Sequence, residues 1–366
     1  MYIFAPGMKL GLRKLKKKCV LYACIGVLTV AALVVWWMAT GLFGPVFETK
    51  ETVYVYVRPS DTEESIMKQL AETACARTMR GWKMASALTD FSVRTGRYAI
   101  HPGERMWNVY RNLQRGRQEP VRLTLPSVRT TERLAGWLSA HLMLDSATVA
   151  EALREPTFAA RYGYEVQTLP ALFIPNTYEF YWDISLEQLM QRMVKENEIF
   201  WKAEGRDEKA QDLGMSHEQV VTLASIIDEE TANNAEKPRV AGMYLNRLRT
   251  NMPLQADPTV KFALYEKARE EGRSGDEELA IRRILHGHLL TESPYNTYKN
   301  SGLPPGPIRI ASVAGIDAVL NHETHSYIYM CAKEDFSGTH NFATTYSEHL
   351  VNARRYAAAL NARGIK

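Results

Sequence analysis

The chain has 366 residues, a length that divides into two or three folded units, and 46% hydrophobic with 23% charged residues supports a sizeable core. Its net charge of +4 is unevenly placed: without Lys9, Arg13, Lys14, Lys16, Lys17 and Lys18 the remainder carries −2. The body is therefore excluded as a basic nucleic-acid binder in the electrostatic sense.

Those six positives lead into an apolar run, Cys19 to Phe43, that holds no charged residue. A helix of that length crosses a hydrocarbon core of roughly 30 Å, and Trp36 and Trp37 near its far end suit an interfacial belt. A cleaved signal peptide has a shorter apolar core followed by a small-x-small site, whereas this run ends in Gly-Leu-Phe-Gly-Pro. The expectation is an uncleaved transmembrane helix over 19–43 behind a cytoplasmic basic segment over 1–18. By the positive-inside tendency everything after Gly44 lies outside the cytoplasm. The four cysteines show no CxxC or His/Cys ligand spacing, so no metal or cofactor is expected, and Cys75 and Cys331 are expected to be unpaired.

From Glu51 to about Leu142 strands alternate with helices. Thr52 to Val57 alternates as a strand, and Pro59-Ser60-Asp61-Thr62 offers a turn and a helix cap. Arg97 to Ile100 is a second strand, followed by a helix through Met106, Val109, Tyr110 and Leu113. Val121 to Leu125 is a third strand, and Thr130 to Leu142 a third helix. This rhythm suits a small binding module of the LysM type over 48–122, although many α+β modules share it. Ser146 to about Ala203 reads as mostly helical, broken at Phe173 to Tyr178. The remaining body, 123–366, is expected to be a mixed α+β domain.

Ser216-His217-Glu218-Gln219 has the form of a capping box and starts a helix at Ser216. Val220, Leu223, Ala224 and Ile227 build one apolar face at 3.6-residue spacing. The helix ends in three acids, Asp228, Glu229 and Glu230. At about 100° per residue Glu229 points away from the apolar face into solvent, while Glu230 and Asp228 stand on its two flanks. A carboxyl at the edge of an apolar surface has a raised pKa, which suits a proton donor near neutral pH. A solvated acidic run ending a helix is the plainer alternative on pattern alone.

Leu223 to Thr231, with Val240 to Leu248, resembles the signature of the endolytic murein transglycosylases, the YceG-like family. So do Met252 to Val260, Ser293-Pro294-Tyr295-Asn296-Thr297-Tyr298 and Gly302 to Ile308, in the family's order. The resemblance implies an α+β exterior on a single N-terminal transmembrane helix, with a catalytic domain over 123–366. It places the catalytic glutamate on Glu230. Here Asp228 replaces the motif's first acid, Glu229 its intervening basic residue, and Asn176 the acid of the family's F-x-P-D-T-Y. The implied reaction has Glu230 protonate the oxygen of the β-1,4 bond between N-acetylmuramic acid and N-acetylglucosamine. The muramic 6-hydroxyl then closes on C1 to leave a 1,6-anhydro end, so one carboxyl can serve where hydrolysis uses two.

Substrate contacts are assigned to Asn246, Gln255, Tyr295, Asn296 and Tyr298, with loop packing the alternative for Asn246, Tyr295, Asn296 and Tyr298. Asp257-Pro258 reads as an N-cap ahead of a first-turn proline. Pro304-Pro305-Gly306-Pro307 reads as a rigid wall, and His340 as a neighbour of the site outside any triad. The implied partners are peptidoglycan glycan strands and penicillin-binding synthases. A muramidase-type hydrolase and a non-catalytic wall-binding scaffold are the rival readings.

Overall fold

In a computed structural model the chain forms two compact units, and the structure describes residues 7–274, 276–281 and 283–364. One unit comprises Met1–Val121 with Tyr181–Asp183, the other Arg122–Phe180 with Ile184–Lys366.

The first unit opens with α1 (Gly7–Phe43), a single helix that takes in the basic segment as well as the apolar run. Its Lys17–Phe43 portion is long and apolar enough to cross a membrane, and its most apolar stretch is not buried within the protein. Then follow β1 (Val53–Val57), α2 (Glu63–Glu72), α3 (Arg80–Leu88), β2 (Gly96–Ile100) and α4 (Met106–Arg115). Thr62 caps α2 through a reciprocal box with Ser65, as the turn before it suggested. β1 and β2 pair antiparallel, with Val55 opposite Tyr98. Their inward residues and the helices close over a core that includes Ile66, Leu70, Trp82 and Ile100. Met106, Val109, Tyr110 and Leu113 of α4 are all buried, the face that their spacing predicts. Gly116, with φ 65, ends α4 in the left-handed conformation that glycine adopts without a Cβ clash.

β3 (Val121–Thr124) leads into the second unit, followed by α5 (Thr131–His141), α6 (Ser146–Ala152), α7 (Pro156–Ala160) and β4 (Thr177–Phe180), which pairs with β3. Helices α8 (Leu186–Lys202), α9 (Arg206–Asp212), α10 (His217–Glu230), α11 (Lys237–Arg249) and α12 (Asp257–Glu270) follow. Two short turns, α13 (Asp276–Leu279) and α14 (His286–Leu289), precede α15 (Val313–Leu320). An antiparallel pair, β5 (Tyr329–Ala332) and β6 (His340–Ala343), and α16 (Tyr346–Ala362) complete the unit.

The centre of this unit is α10. Ser216 caps it in the reciprocal arrangement with Gln219 that the sequence indicates. The expectation of a single apolar face is corrected, however: every residue from Val220 to Ile227 is buried. α11, α12 and α15 pack around it, so the stretch from Val220 to Ile227 presents no face to solvent. The two polar side chains in this stretch satisfy themselves locally. Thr222 donates to the Glu218 carbonyl at 2.6 Å and Ser225 to the Thr222 carbonyl at 2.7 Å.

Candidate active site

The three acids that end α10 have three different environments. Asp228 accepts from Lys237 Nζ at 2.6 Å, from Ser312 Oγ at 2.8 Å and from the Ser312 backbone N–H at 2.6 Å. Lys237 and Asp228 are both buried, with 7% and 3% of their side chains exposed. Glu229 does not point into solvent as expected. It takes both prongs of Arg129, each at 2.7 Å, and Arg309 Nη1 at 3.0 Å. Both neighbours of Glu230 are therefore tied down, which fixes the last turn of the helix and with it the direction of the third acid. The plainer alternative of a solvated acidic run does not hold.

Glu230 lines a cleft of about 240 Å³. Its Oε1 accepts from the Tyr244 hydroxyl at 2.8 Å. The carboxyl keeps a small window on the cleft but is enclosed by protein on its other sides. Desolvation raises its pKa above the ordinary glutamate value, opposed by the Tyr244 hydrogen bond and by the charges of His340 and Arg247, and aided by Asp257. The other walls come from separate elements. α11 supplies Met243, Tyr244 and Arg247, with Gln255 and Asp257 at the turn into α12; Tyr298 follows, then Met330 to Ala332 of β5, and His340 of β6. A larger cavity of about 1000 Å³ lies near the opposite end of α10, around Ser216, Gln219 and Thr222, away from the acid.

Arg247 holds this frame together. It is buried, and its guanidinium donates to the Ile328 carbonyl at 2.6 Å and the Leu254 carbonyl at 2.7 Å. One side chain thereby joins α11 to the start of β5 and to the turn that carries Gln255. Gln255 itself has φ 47, a left-handed backbone that costs a non-glycine residue about 1 kcal/mol or more. Its N–H is held by the Thr297 carbonyl at 3.1 Å.

Of the five side chains assigned to substrate contact, the structure brings Gln255 and Tyr298 to the cleft with Glu230. The other three are placed elsewhere. Asn246 donates to the carbonyls of His325 at 2.7 Å and Tyr327 at 3.0 Å, fastening the loop before β5. Tyr295 is buried with its ring 4.7 Å from that of Phe262. Asn296 has no exposed surface; its amide donates to the carbonyls of Leu289 and Thr291, and its oxygen accepts the Tyr298 N–H. The amides of Asn246 and Asn296 meet backbone groups left unpaired by irregular loops, which is a folding task.

Asp257 also needs correction. Ala256, not Asp257, occupies the N-cap of α12, and Asp257 makes no capping bond. It stands in the first helical turn, where its carboxylate accepts from the Tyr298 hydroxyl at 2.7 Å. A negative charge in a first turn is favoured by the helix dipole, so the position is stable without a cap. Sequence reasoning gives no role to Tyr244 or Arg247. Their signal was the three-residue spacing on α11, which puts both on the face that meets the end of α10. Cys75 and Cys331 carry free thiols, and Cys331 lies in the cleft wall with its pKa pushed up by burial.

The arrangement offers a proton on a half-sheltered carboxyl, hydroxyl and amide groups beside it, and a carboxylate and an imidazole in the same cleft. Comparison with known proteins gives consistent results. The model of the YceG-like family matches residues 55–355. An endolytic murein transglycosylase of Bacillus subtilis (strain 168) is 34% identical over 197 residues, which are 53% of this chain and 49% of that protein. An endolytic murein transglycosylase of Streptococcus pneumoniae (serotype 2, strain D39) is 24% identical over 290 residues, 72% of this chain and 51% of that one. The chain thus spans about half the length of these relatives. A crystal structure of a yceG-like protein from Listeria monocytogenes superposes with a TM-score of 0.54 at 27% identity, covering 83% of this chain and 99% of that one.

Proposed function

The chain belongs to the YceG-like family, and from that premise we propose that it is an endolytic lytic transglycosylase, a lyase that cuts peptidoglycan glycan strands internally. The observation that carries the reading is the environment of Glu230: an acid desolvated at the wall of an open cleft, with its helix end fixed by two ion-paired neighbours. Such a carboxyl holds its proton to higher pH than a solvated one and can deliver it to a glycosidic oxygen.

The reaction assigned to it runs as follows. Glu230 gives its proton to the oxygen joining N-acetylmuramic acid to N-acetylglucosamine, and the C1–O bond breaks with development of oxocarbenium character at C1. The 6-hydroxyl of the same muramic residue bonds to C1 and loses its proton, leaving a 1,6-anhydro end. The relatives' names and the family match support the substrate class. Gln255 and Tyr298 line the cleft with Glu230, which supports a role for them in holding the sugar, one by an amide and the other by a flat ring with a polar tip.

The helix Lys17–Phe43 supports anchoring by a single membrane span. The basic residues ahead of it favour a cytoplasmic N-terminus in a bacterial inner membrane, with the cleft on the far side near newly made strands. The strand–helix–helix–strand order of β1 to β2 supports a LysM-like role in wall binding for the first unit. Cutting nascent strands would end their elongation and calls for penicillin-binding synthases as neighbours.

Digestion of isolated sacculi by the purified chain, with product analysis by mass spectrometry, tests the proposal. The wild-type chain should release anhydro-muramic ends, and Glu230→Gln none while still binding sacculi. A second carboxylate, Asp257, lines the same cleft and is the feature that favours a hydrolase. Reducing muramic ends in place of anhydro ends would give that reading the preference.

A further inference from the structure

His340 and Glu236 form a pair that the reaction above does not use. Glu236 stands at the start of α11, six residues after Glu230, and is only 8% exposed. Its two carboxylate oxygens meet a single residue: Oε1 accepts the backbone N–H of His340 at 2.6 Å, and Oε2 lies 3.0 Å from His340 Nδ1. A carboxylate accepts only, so Nδ1 carries the hydrogen, and the other ring nitrogen, Nε2, holds a lone pair when the ring is neutral. Among the described residues Nε2 has no hydrogen-bond partner, although the ring lines the cleft with Glu230. The backbone around the ring is fixed as well. His340 begins β6 opposite Ala332 of β5, and the turn back to β5 is held by the Lys333 N–H donating to the Thr339 carbonyl at 2.9 Å.

We infer that His340, oriented by Glu236, is the base that takes the proton of the muramic 6-hydroxyl, so that the two proton transfers of the cut fall on two different side chains. This rests on the transglycosylase reading of the cleft. The balance is closed. Glu230 loses a proton to the departing oxygen as the C1–O bond breaks. The O6–C1 bond forms from the hydroxyl's electron pair, and the hydroxyl proton moves to His340 Nε2. The cleft passes from a neutral acid with a neutral base to a carboxylate with an imidazolium, at constant net charge. Return of the proton from His340 to Glu230 through solvent resets the site. His340 is thus a catalytic residue and Glu236 a positioning residue, which selects the tautomer and shelters the imidazolium.

The test uses the full chain in detergent with purified glycan strands, reading anhydro ends against pH. The groups that share the cleft with the ring are Glu230 on α10, Tyr244 and Arg247 on α11, Asp257 on α12, Tyr298 and Cys331, with Glu236 behind it. His340→Ala should lower kcat by about a hundredfold with KM little changed, abolish the acidic limb of the pH profile and recover part of its rate with added imidazole. Glu236→Gln should move that acidic limb to lower pH, because the imidazolium loses its anion; a purely structural role would leave the limb in place. A His340→Ala chain that keeps its rate within about threefold and retains the wild-type acidic limb overturns the assignment. Should His340→Ala fail to fold, the Glu236→Gln profile decides: an acidic limb unmoved from its wild-type position overturns it equally. When wild type is active and Glu230→Gln is dead, these results bear on the base alone. A wild-type chain that releases no anhydro ends removes the parent reading, and this one with it.

Discussion

The hydroxyl of Tyr244 donates to Oε1 of Glu230 across 2.8 Å, and Tyr244 is almost wholly buried where it does so. The bond pulls against the desolvation that dominates the environment of the acid. The two effects together set how long Glu230 keeps its proton.

Tyr244→Phe should therefore raise the pKa of Glu230 further, since the carboxylate loses the donor that stabilises it. The alkaline limb of the activity profile should move to higher pH, with only a modest fall in kcat at the optimum. A limb that stays in place would show that another group governs it.

Asp257→Asn should act in the opposite direction. The charge of Asp257 raises the pKa of Glu230, so the neutral amide relieves the repulsion and the alkaline limb should move to lower pH. The contrast with Tyr244→Phe separates a change in charge from a general loss of packing.

Glu230→Gln should make the folded chain more stable near neutral pH. The folded-state pKa of Glu230 lies above its unfolded value, so the native state binds the proton more tightly. Wild-type stability then falls as pH rises from the ordinary glutamate range through the folded pKa, and is lowest above it. A neutral amide escapes that loss. Thermal unfolding should give a higher Tm for the variant at pH 8, and a difference close to zero at pH 4.

Lys237→Met should be costly. It leaves the Asp228 carboxylate buried with Ser312 as its remaining partner, and removal of one member of a buried ion pair costs about 3–5 kcal/mol. Urea denaturation measures it. Activity should fall as well, because Asp228 fixes the helix turn that presents Glu230.

Gly242→Ala should also destabilise. A Cβ there would meet the Glu323 carbonyl oxygen and the His325 ring, 2.8 Å from its Nε2. The helix-compatible residue therefore forces the 321–328 segment away from α11, at about 1–3 kcal/mol. The same segment is fastened by Asn246 and leads into β5, so the displaced loop should lower activity along with the denaturation midpoint.

Much of the fold was legible locally. The uncharged run before Gly44, the capping box at Ser216, the alternation of Val53 to Val57 and the spacing of Met106 to Leu113 each depend on residues within a turn or two of one another, so sequence carries them directly. The motif blocks pointed to Glu230 through their resemblance to the family's signature. What lay beyond reach was how α10 is enclosed and how its three acids are divided. The partners of Glu229 are Arg129 and Arg309, a hundred residues before it and eighty after. The helical wheel alone sent Glu229 into water, since nothing in the helix announces what packs beside it.

The same limit explains the substrate contacts. Asn246, Tyr295 and Asn296 have the chemistry of sugar-binding side chains, but the two amides satisfy loop carbonyls and the tyrosine ring packs on Phe262. Sequence determined which residue types were available: a helix ending in acids, an apolar N-terminal run and polar aromatic loops. Tertiary structure alone decided which acid is ion-paired and which is left facing a cleft, and brought His340 and Glu236 together across 104 positions. Desolvation and charge pairing depend on distance in space, and chain order fixes that distance only through the completed packing.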